Sequence, residues 1–390
     1  MANSYMKLLW VNPSFLDYRI PLYNELYKKC NGEFYLIFSE NRVPQRCIAR
    51  LRNLIGNNAV SIKEGKSYRI GKSSGFANSA ISIPFPRHLY KEIKHIKPDV
   101  IIAEGFFQFT PWAVLFSVLN HVPLIISYEK TSHTERNCPW WRRMYRRFIC
   151  LFVDAFVVNG TLSKEYLINS MAVPSQKIFT GSMCADSLQL AKDVSSILLE
   201  EKIELTRSLS IDSGGLTYIF VGRIIKLKGI KYLLQAWIKH IEKYASDNLL
   251  IVGGGELLTE YKFQYGEINS IHFLGEIDYS QIYKYYSVAD VFVIPTLEDN
   301  WSLVVPEAMA CGLPIACSIY NGCYPELVHP NENGFLFDPF KESTIIETLE
   351  KFHKVDLVKF GTESKIIESN FNPPKTAENI YKAVSYVYKK

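Results

Sequence analysis

The 390 residues contain no run of about 18 apolar residues, so nothing in them reads as a membrane-spanning helix. The opening MANSYMKLLWVNPSF has no basic segment leading into an apolar stretch and a small-residue cleavage site, which predicts a chain kept in the cytoplasm. Eight cysteines, at positions 30, 47, 138, 150, 184, 311, 317 and 323, include no C-x-x-C pair. Neither a zinc ribbon nor a disulfide scaffold is indicated, and free, mostly buried thiols are expected. Asn300-Trp301-Ser302 matches a glycosylation acceptor in form, but without a secretion signal it reads as chance. Acidic residues are scarce in one half only. Residues 1–190 hold 24 Lys and Arg against 13 Asp and Glu, a net +11, whereas residues 191–390 hold 20 against 26, a net −6. A basic half suits a polyanionic partner, either nucleic acid or an anionic membrane surface.

What is present is a full core: 48% of the residues are hydrophobic and 14% aromatic. The length is about twice that of a typical domain, which predicts two domains of similar size. Apolar runs such as Leu8–Val11, Phe34–Phe38, Pro98–Ala103, Pro123–Tyr128 and Ala155–Val158 alternate with segments of helical period. The plan repeats after residue 215, with strands at Leu216–Val221, Asn248–Val252, Ile271–Leu274, Val291–Pro295 and Pro314–Cys317. Such alternation specifies parallel sheets wrapped by helices, an α/β fold of two doubly wound, Rossmann-like domains facing across a cleft. The divisions are 1–190, 191–375 and a C-terminal helix over 376–390 that packs back on the first domain. Residues 56–80, rich in Gly, Ser, Asn and Lys, read as a long loop, and Ala191–Leu209 reads as one helix at the boundary.

In a doubly wound sheet ligands bind at the carboxyl ends of strands. Three such ends in the second half carry suggestive residues. Gly222 is followed by Arg223, Lys226 and Lys228 ahead of a helix, a place for a diphosphate, although a solvated basic loop would look the same. Gly253-Gly-Gly255 would let a ligand approach the backbone, or simply make a tight turn. In EDNWSLVVPEAMACGLP, residues 298–314, a helix starting near Leu303 would leave the N–H groups of Ser302, Leu303 and Val304 as free donors beside Glu307. Gly312 and Pro314 then end that helix. Amides and cations take phosphate, and carboxylates accept from sugar hydroxyls.

At this point the chain resembles the retaining glycosyltransferases of family 4, the group 1 sugar-nucleotide enzymes of GT-B fold. VGRIIKLKGIKYLLQA, LLIVGGGEL, IHFLGEI, YYSVADVFVIPT and DNWSLVVPEAMACGLPI carry the resemblance over about residues 217–340, with KPDVIIAEG and VVNGTLSKEYL as weaker signals before them. The resemblance implies transfer of a sugar from a UDP- or GDP-sugar with retention, no cofactor and no essential metal. It assigns Arg223 and Lys228 to the diphosphate, Glu307 to the ribose, and Asp299 to the donor sugar, with Gly222, Gly254, Leu274 and the amides around Trp301, Ser302 and Leu303 also against the donor. Asp299 replaces the first Glu of the family's Glu-x7-Glu motif, and Glu298 lies one residue early, so either acid could reach the sugar. Where many members place a His beside the reacting carbon this chain has Glu129, with His133 as a second candidate. Glu129 could equally be paired with Arg136.

The acceptor is expected on the basic half. CPWWRRMYRR, residues 138–147, would set Arg142, Arg143, Arg146 and Arg147 on one charged helix face, with Trp either at the interface or in the core. No nucleic-acid motif accompanies the patch. The expected acceptor is therefore a lipid-linked sugar or oligosaccharide at the inner membrane face, as in polysaccharide assembly. A sugar-nucleotide 2-epimerase and a non-catalytic nucleotide-sugar-binding protein of the same architecture remain alternatives.

Overall fold

The computed structural model describes residues 6–64, 67–70, 81–84, 86 and 88–389. The chain divides into two compact units, Met1–Cys184 with Pro373–Lys390, and Ala185–Asn372.

The first unit runs β1 (Leu8–Val11), α1 (Ile20–Lys29), β2 (Phe34–Ser39), α2 (Gln45–Ile55), β3 (Ala59–Ile62), β4 (Ser67–Ile70), β5 (Ile81–Pro84), α3 (Leu89–Ile96), β6 (Val100–Glu104), α4 (Thr110–Asn120), β7 (Leu124–Tyr128), α5 (Trp140–Cys150), β8 (Ala155–Val158), α6 (Thr161–Met171) and β9 (Ile178–Thr180). Its sheet has the order β3-β2-β1-β6-β7-β8-β9 with all pairs parallel. The central strands are mostly apolar because helices cover both faces. Alternate residues of β1 go to opposite sides: Leu8 and Trp10 join one core, Leu9 and Val11 the other. The segment expected as a loop over 56–80 is shorter than its composition implies. Ala59–Ile62 pairs with Leu36–Ser39 as the sheet's edge strand, and Ser67–Ile70 pairs antiparallel with Ile81–Pro84. Pairing with β2 outweighs the polar composition there, and residues 71–80 lie outside the described residues.

The second unit runs α7 (Ser187–Ser196), α8 (Leu199–Ser208), β10 (Thr217–Val221), α9 (Ile230–His240), β11 (Asn248–Val252), α10 (Leu258–Tyr265), β12 (Ile271–Gly275), α11 (Ile282–Ser287), β13 (Val291–Ile294), α12 (Val304–Ala310), β14 (Ile315–Ser318), α13 (Tyr324–Leu327), β15 (Gly334–Phe337), α14 (Glu342–Phe352) and α15 (Leu357–Glu368). The sheet order is β12-β11-β10-β13-β14-β15, again all parallel. Ala191–Leu209 is two helices rather than one, broken at Ile197 and Leu198, whose backbones are extended. The unit begins at Ala185, so α7 straddles the 190/191 division drawn from sequence. The last helix, α16 (Pro373–Tyr388), returns to the first unit. Its Ala377, Ile380, Ala383, Val384 and Val387 enter the core that holds Leu8 and Trp10. All eight cysteines are free, and all but Cys150 are buried.

In both sheets the order reverses beside the first strand, between β1 and β6 and between β10 and β13. Those are the switch points where an open parallel sheet leaves a crevice at its carboxyl edge.

Candidate functional site

At the switch point of the second unit the loop after β10 is stitched to the loop after β13. The Leu227 carbonyl accepts from the Leu297 N–H at 2.8 Å and from the Thr296 hydroxyl at 3.1 Å. Gly229, with φ +67°, sits where a Cβ would lie 2.0 Å from the Pro295 carbonyl oxygen, so any side chain would prise the two loops apart. Gly253 is as tightly placed, at φ +137° with a would-be Cβ 1.9 Å from the Gly222 oxygen. These glycines are needed for backbone packing, whatever ligand the mouth takes.

The stitching delivers Lys228 to Asp299. The ammonium lies 2.5 Å from Asp299 Oδ2, and the same oxygen accepts from the Ser302 hydroxyl at 2.6 Å. The Trp301 N–H donates to Asp299 Oδ1 at 3.1 Å. Burial works against the charge on Asp299, but Lys228, Ser302 and Trp301 together outweigh it and hold the carboxyl below its usual value. Asp299 is also tied to the loop after β14: its N–H donates to the Tyr320 carbonyl and its own carbonyl accepts from Gly322.

Two sequence expectations are corrected here. The Trp301 and Ser302 N–H groups are not free donors. The first is spent on Asp299 of the same turn and the second, at 3.3 Å, on Asn321 Oδ1 from the loop after β14, so neither amide opens to solvent. The Trp301 ring is buried against Phe371, and its indole N–H has no hydrogen-bond partner. Lys228 and Asp299, assigned to different parts of a donor, are joined to each other. Leu303 is the N-cap residue of α12, and Glu298 is buried next to Asp299.

The same unit holds a cavity of about 560 Å³ lined by Gly222, Arg223, Gly254, Glu276, Tyr279 and Glu307, among others, whereas Lys228, Asp299, Trp301, Ser302 and Leu303 are not on its lining. Arg223 is exposed in its mouth and makes no ion pair among the described residues. Glu307, in the first turn of α12, accepts from the Tyr279 hydroxyl at 3.2 Å. Burial pushes its carboxyl up to about 7, the Tyr279 hydrogen bond opposes the rise, and Asp186 adds to it. Leu274 does not line the cavity. The strand β12 is displaced there by an irregularity at Ile251/Val252, and Glu276 and Tyr279 at its end face the space instead. Sequence reading missed those two residues and Asn321. Glu276 stands just past a strand-ending glycine, as Arg223 does, and that position was the available signal; Tyr279 and Asn321 carried none.

Glu129 belongs to the other unit, where it follows β7 and lines a separate cavity with Tyr18, Arg19 and Glu104. His133 does not line that cavity, and Arg136 donates to the His133 carbonyl. The basic helix α5 also differs from expectation. Arg142 and Arg146 are buried, and Arg146 grips Glu135 with two hydrogen bonds, of 2.6 and 3.2 Å, and donates to the Tyr166 hydroxyl at 3.1 Å. Only Arg143 and Arg147 face outward, since the other two lie on the side that packs against the sheet. Trp140, 77% exposed, and Trp141 are not in the core. Among the described residues no helix is long and apolar enough to cross a membrane.

Comparison with known proteins fits this geometry. Residues 201–368 match the family model described as "Glycosyl transferases group 1", and residues 50–180 the one described as "Glycosyltransferase Family 4". An uncharacterized glycosyltransferase of Methanocaldococcus jannaschii is 34% identical over 149 residues, 37% of this chain and 38% of that one. The chain thus matches well under half the length of that relative. The alpha-monoglucosyldiacylglycerol synthase of Acholeplasma laidlawii is 22% identical over 76% of this chain and 78% of its own. The Anabaena HepE protein, crystallised with UDP, superposes with a TM-score of 0.72 at 14% identity over 97% of this chain and all of that one. With two all-parallel doubly wound sheets and both family models in sequence order, the chain belongs to glycosyltransferase family 4 and has the GT-B fold.

Proposed function

We propose that the chain transfers a sugar from a nucleoside diphosphate sugar, with retention of anomeric configuration and without a metal, to a hydroxyl of a lipid-linked glycan. The observation that supports the donor half is the placing of Arg223, Gly254 and Glu307 on one cavity at the switch point of the second unit, with the Lys228–Asp299 pair joining the loops after β10 and β13. Arg223 and Lys228 meet the charge that grows on the diphosphate as the glycosidic bond breaks. Glu307, once ionised, accepts from the ribose hydroxyls, and Asp299 orients Lys228 and reaches the donor sugar through its remaining lone pairs. The leaving diphosphate takes the acceptor proton, so no covalent residue is assigned. The UDP bound in the Anabaena structural neighbour makes UDP the first nucleotide to try.

The acceptor half rests on α5. Trp140, Met144, Phe148 and Leu151 are exposed at helical spacing, with Arg143 and Arg147 among them. Aromatic and aliphatic side chains flanked by cations match an anionic leaflet. The relative that makes a glucosyl lipid points the same way, and polysaccharide assembly at the inner face of the membrane is the setting we favour.

Thermal unfolding with UDP, GDP, dTDP and CMP tests the donor site. Saturation by one diphosphate should raise the midpoint by several degrees, as about 2.7 kcal/mol accrues at 100 times the dissociation constant. Product analysis with the matching sugar nucleotide then separates three outcomes. Acceptor-dependent release of nucleotide supports transfer, conversion of donor alone indicates an epimerase, and binding without turnover indicates a carrier. No shift with any nucleotide removes the donor site.

A further inference from the structure

The amino edge of the second unit's sheet, at the far end of the strands from the donor cavity, holds a cluster that the transfer reaction does not use. Asp247 stands just ahead of β11, His240 is the last residue of α9, and His353 caps the C-terminus of α14. Both imidazoles turn Nε2 to the same carboxylate oxygen, Asp247 Oδ2, at 2.8 Å each. The other oxygen, Oδ1, accepts from the Leu216 N–H at 2.8 Å, which fixes the plane of the carboxylate. The Tyr244 ring lies on His353, with 3.8 Å between centroids and 14° between planes, and stacks on His240 at 5.1 Å and 22°. His240 and Asp247 are closed to solvent, and the His353 side chain is 19% exposed.

The charges in this cluster do not balance. Asp247 makes ion pairs with the two histidines alone, and no Lys or Arg is paired with it among the described residues. Asp290, just ahead of β13, is a second carboxylate at the same edge and accepts from the Thr217 N–H at 2.8 Å. Burial pushes its carboxyl up, the Thr217 bond opposes the rise, and the charge of Asp247 adds to it. Two helices, α9 and α14, also end here, each with a partial negative charge at its C-terminus. Neutral imidazoles leave this excess uncompensated, and a buried carboxylate without a cation is costly. A divalent cation would supply the missing charge. Two imidazole nitrogens and a carboxylate oxygen are a ligand set that zinc accepts, and here the three atoms lie within 4.8 Å of one another. Ligand atoms around a tetrahedral zinc stand about 3.3 Å apart, so the two contacts to Asp247 would open by about half an ångström, a shift open to the part-exposed His353.

We propose that His240, Asp247 and His353 bind a zinc ion, with water as the fourth ligand, and that the ion ties the ends of α9 and α14 to the start of β11. Its role is structural. The donor cavity is lined from the other ends of the strands, by Val221 and Val252 among others, so the zinc takes no part in transfer. The site does not depend on the glycosyltransferase reading.

Thermal unfolding and cobalt spectroscopy of the untagged full chain, stripped with EDTA, test it. One zinc per chain should raise the midpoint by several degrees, magnesium and calcium should not, and Co2+ should give the intense visible absorption of tetrahedral coordination. His353→Gln, whose amide still donates to Asp247, should fold but bind zinc at least about tenfold more weakly and lose the cobalt absorption. His329→Gln, at an exposed histidine beside Glu332, should change neither. Each variant is compared with its own stripped form, so a change in basal stability does not enter. Absence of a zinc shift, or a shift as large in His353→Gln as in the original chain, overturns the proposal and leaves the cluster a hydrogen-bonded staple. UDP should shift the stripped and zinc-loaded chains alike, and UDP binding that needed the metal would overturn its structural role. Zinc binding without any UDP shift would support the site and strike only the donor reading.

Discussion

The two units place polar residues at the same topological position and treat them differently. At the β10/β13 switch point of the second unit, Arg223 is exposed on the cavity lining with no ion pair among the described residues, while Lys228 is paired with Asp299. At the β1/β6 switch point of the first unit, Arg19 is buried under Glu104 and its charge is cancelled in place. The comparison teaches that net charge is a poor guide to where an anion binds. The unit with the basic sequence spends Arg19 and Arg146 on buried carboxylates, and the acidic half of the chain carries the exposed Arg223 proposed to meet the diphosphate.

The largest effect expected from breaking this contrast is at Lys228. Lys228→Ala removes one cation from the developing diphosphate and leaves Asp299 with an uncompensated charge. Transfer should fall about a thousandfold. Lys228→Arg should recover part of it only if the longer side chain still reaches Asp299. Steady-state kinetics with UDP-sugar, alongside circular dichroism to confirm folding, decides this. A loss of tenfold or less would mean that the pair serves packing.

Arg146→Ala tests the opposite claim, that the buried cations of the first unit are architecture. Removing the guanidinium leaves Glu135 buried and charged, with an expected cost of about 3–5 kcal/mol in denaturant unfolding. Affinity for UDP in the folded fraction should not change. A variant of normal stability would show that Arg146 and Glu135 do not hold the unit together.

How much of this could be read from the sequence differs between the units for a physical reason. In the second, the residues proposed to face the donor come soon after strands, and local chain order sets them: Gly222–Arg223 after β10, Asp299 in the loop after β13 and Glu307 in the first turn of α12. Period, turn glycines and the family resemblance therefore located them. Glu276, Tyr279 and Asn321 escaped because their roles depend on which strand neighbours which. In the first unit Arg19 meets Glu104 across 85 positions and Trp10 meets Glu104 across 94, and no spacing in the chain announces either contact. The fold was legible because alternation of apolar strands and amphipathic helices has few packed solutions. The edge strand Ala59–Ile62 was not, because its residues are ordinary for a loop and only the neighbouring β2 makes them a strand.

A pH experiment sharpens the donor side. Burial raises the Glu307 carboxyl from 4.5 to about 7, so the folded chain holds this proton more tightly than the unfolded chain does. Its contribution to folding is greatest below about 4.5 and is lost as the pH rises toward 7, by ~3 kcal/mol at most. Glu307→Gln should flatten stability against pH over that window. UDP affinity should move the other way, rising with pH toward 7 as the carboxylate becomes able to accept from the ribose. Calorimetry at pH 5.5 and 7.5 in two buffers would show proton release on binding at the lower pH, and a binding curve without pH dependence would take Glu307 out of the site.

The smallest effect tests what the exposed side of α5 is for. Arg143 and Arg147 project outward among Trp140, Met144, Phe148 and Leu151, and each cation near an anionic leaflet contributes about 1 kcal/mol. The double substitution Arg143→Glu with Arg147→Glu should therefore weaken partition to phosphatidylglycerol vesicles by more than tenfold, and added salt should reproduce part of that loss. Neither residue touches the buried Arg146–Glu135 pair, but Arg147 Nε donates to the Ser170 carbonyl at 2.9 Å, so the unfolding free energy should fall by about 1 kcal/mol and no more. Trp140→Ser should weaken partition to neutral and anionic vesicles alike, since the ring contributes apolar burial and carries no charge. Equal binding of all variants to both kinds of vesicle would leave the helix face without a membrane role, and transfer to water-soluble glycans would then be expected to proceed as fast as transfer to lipid-linked ones.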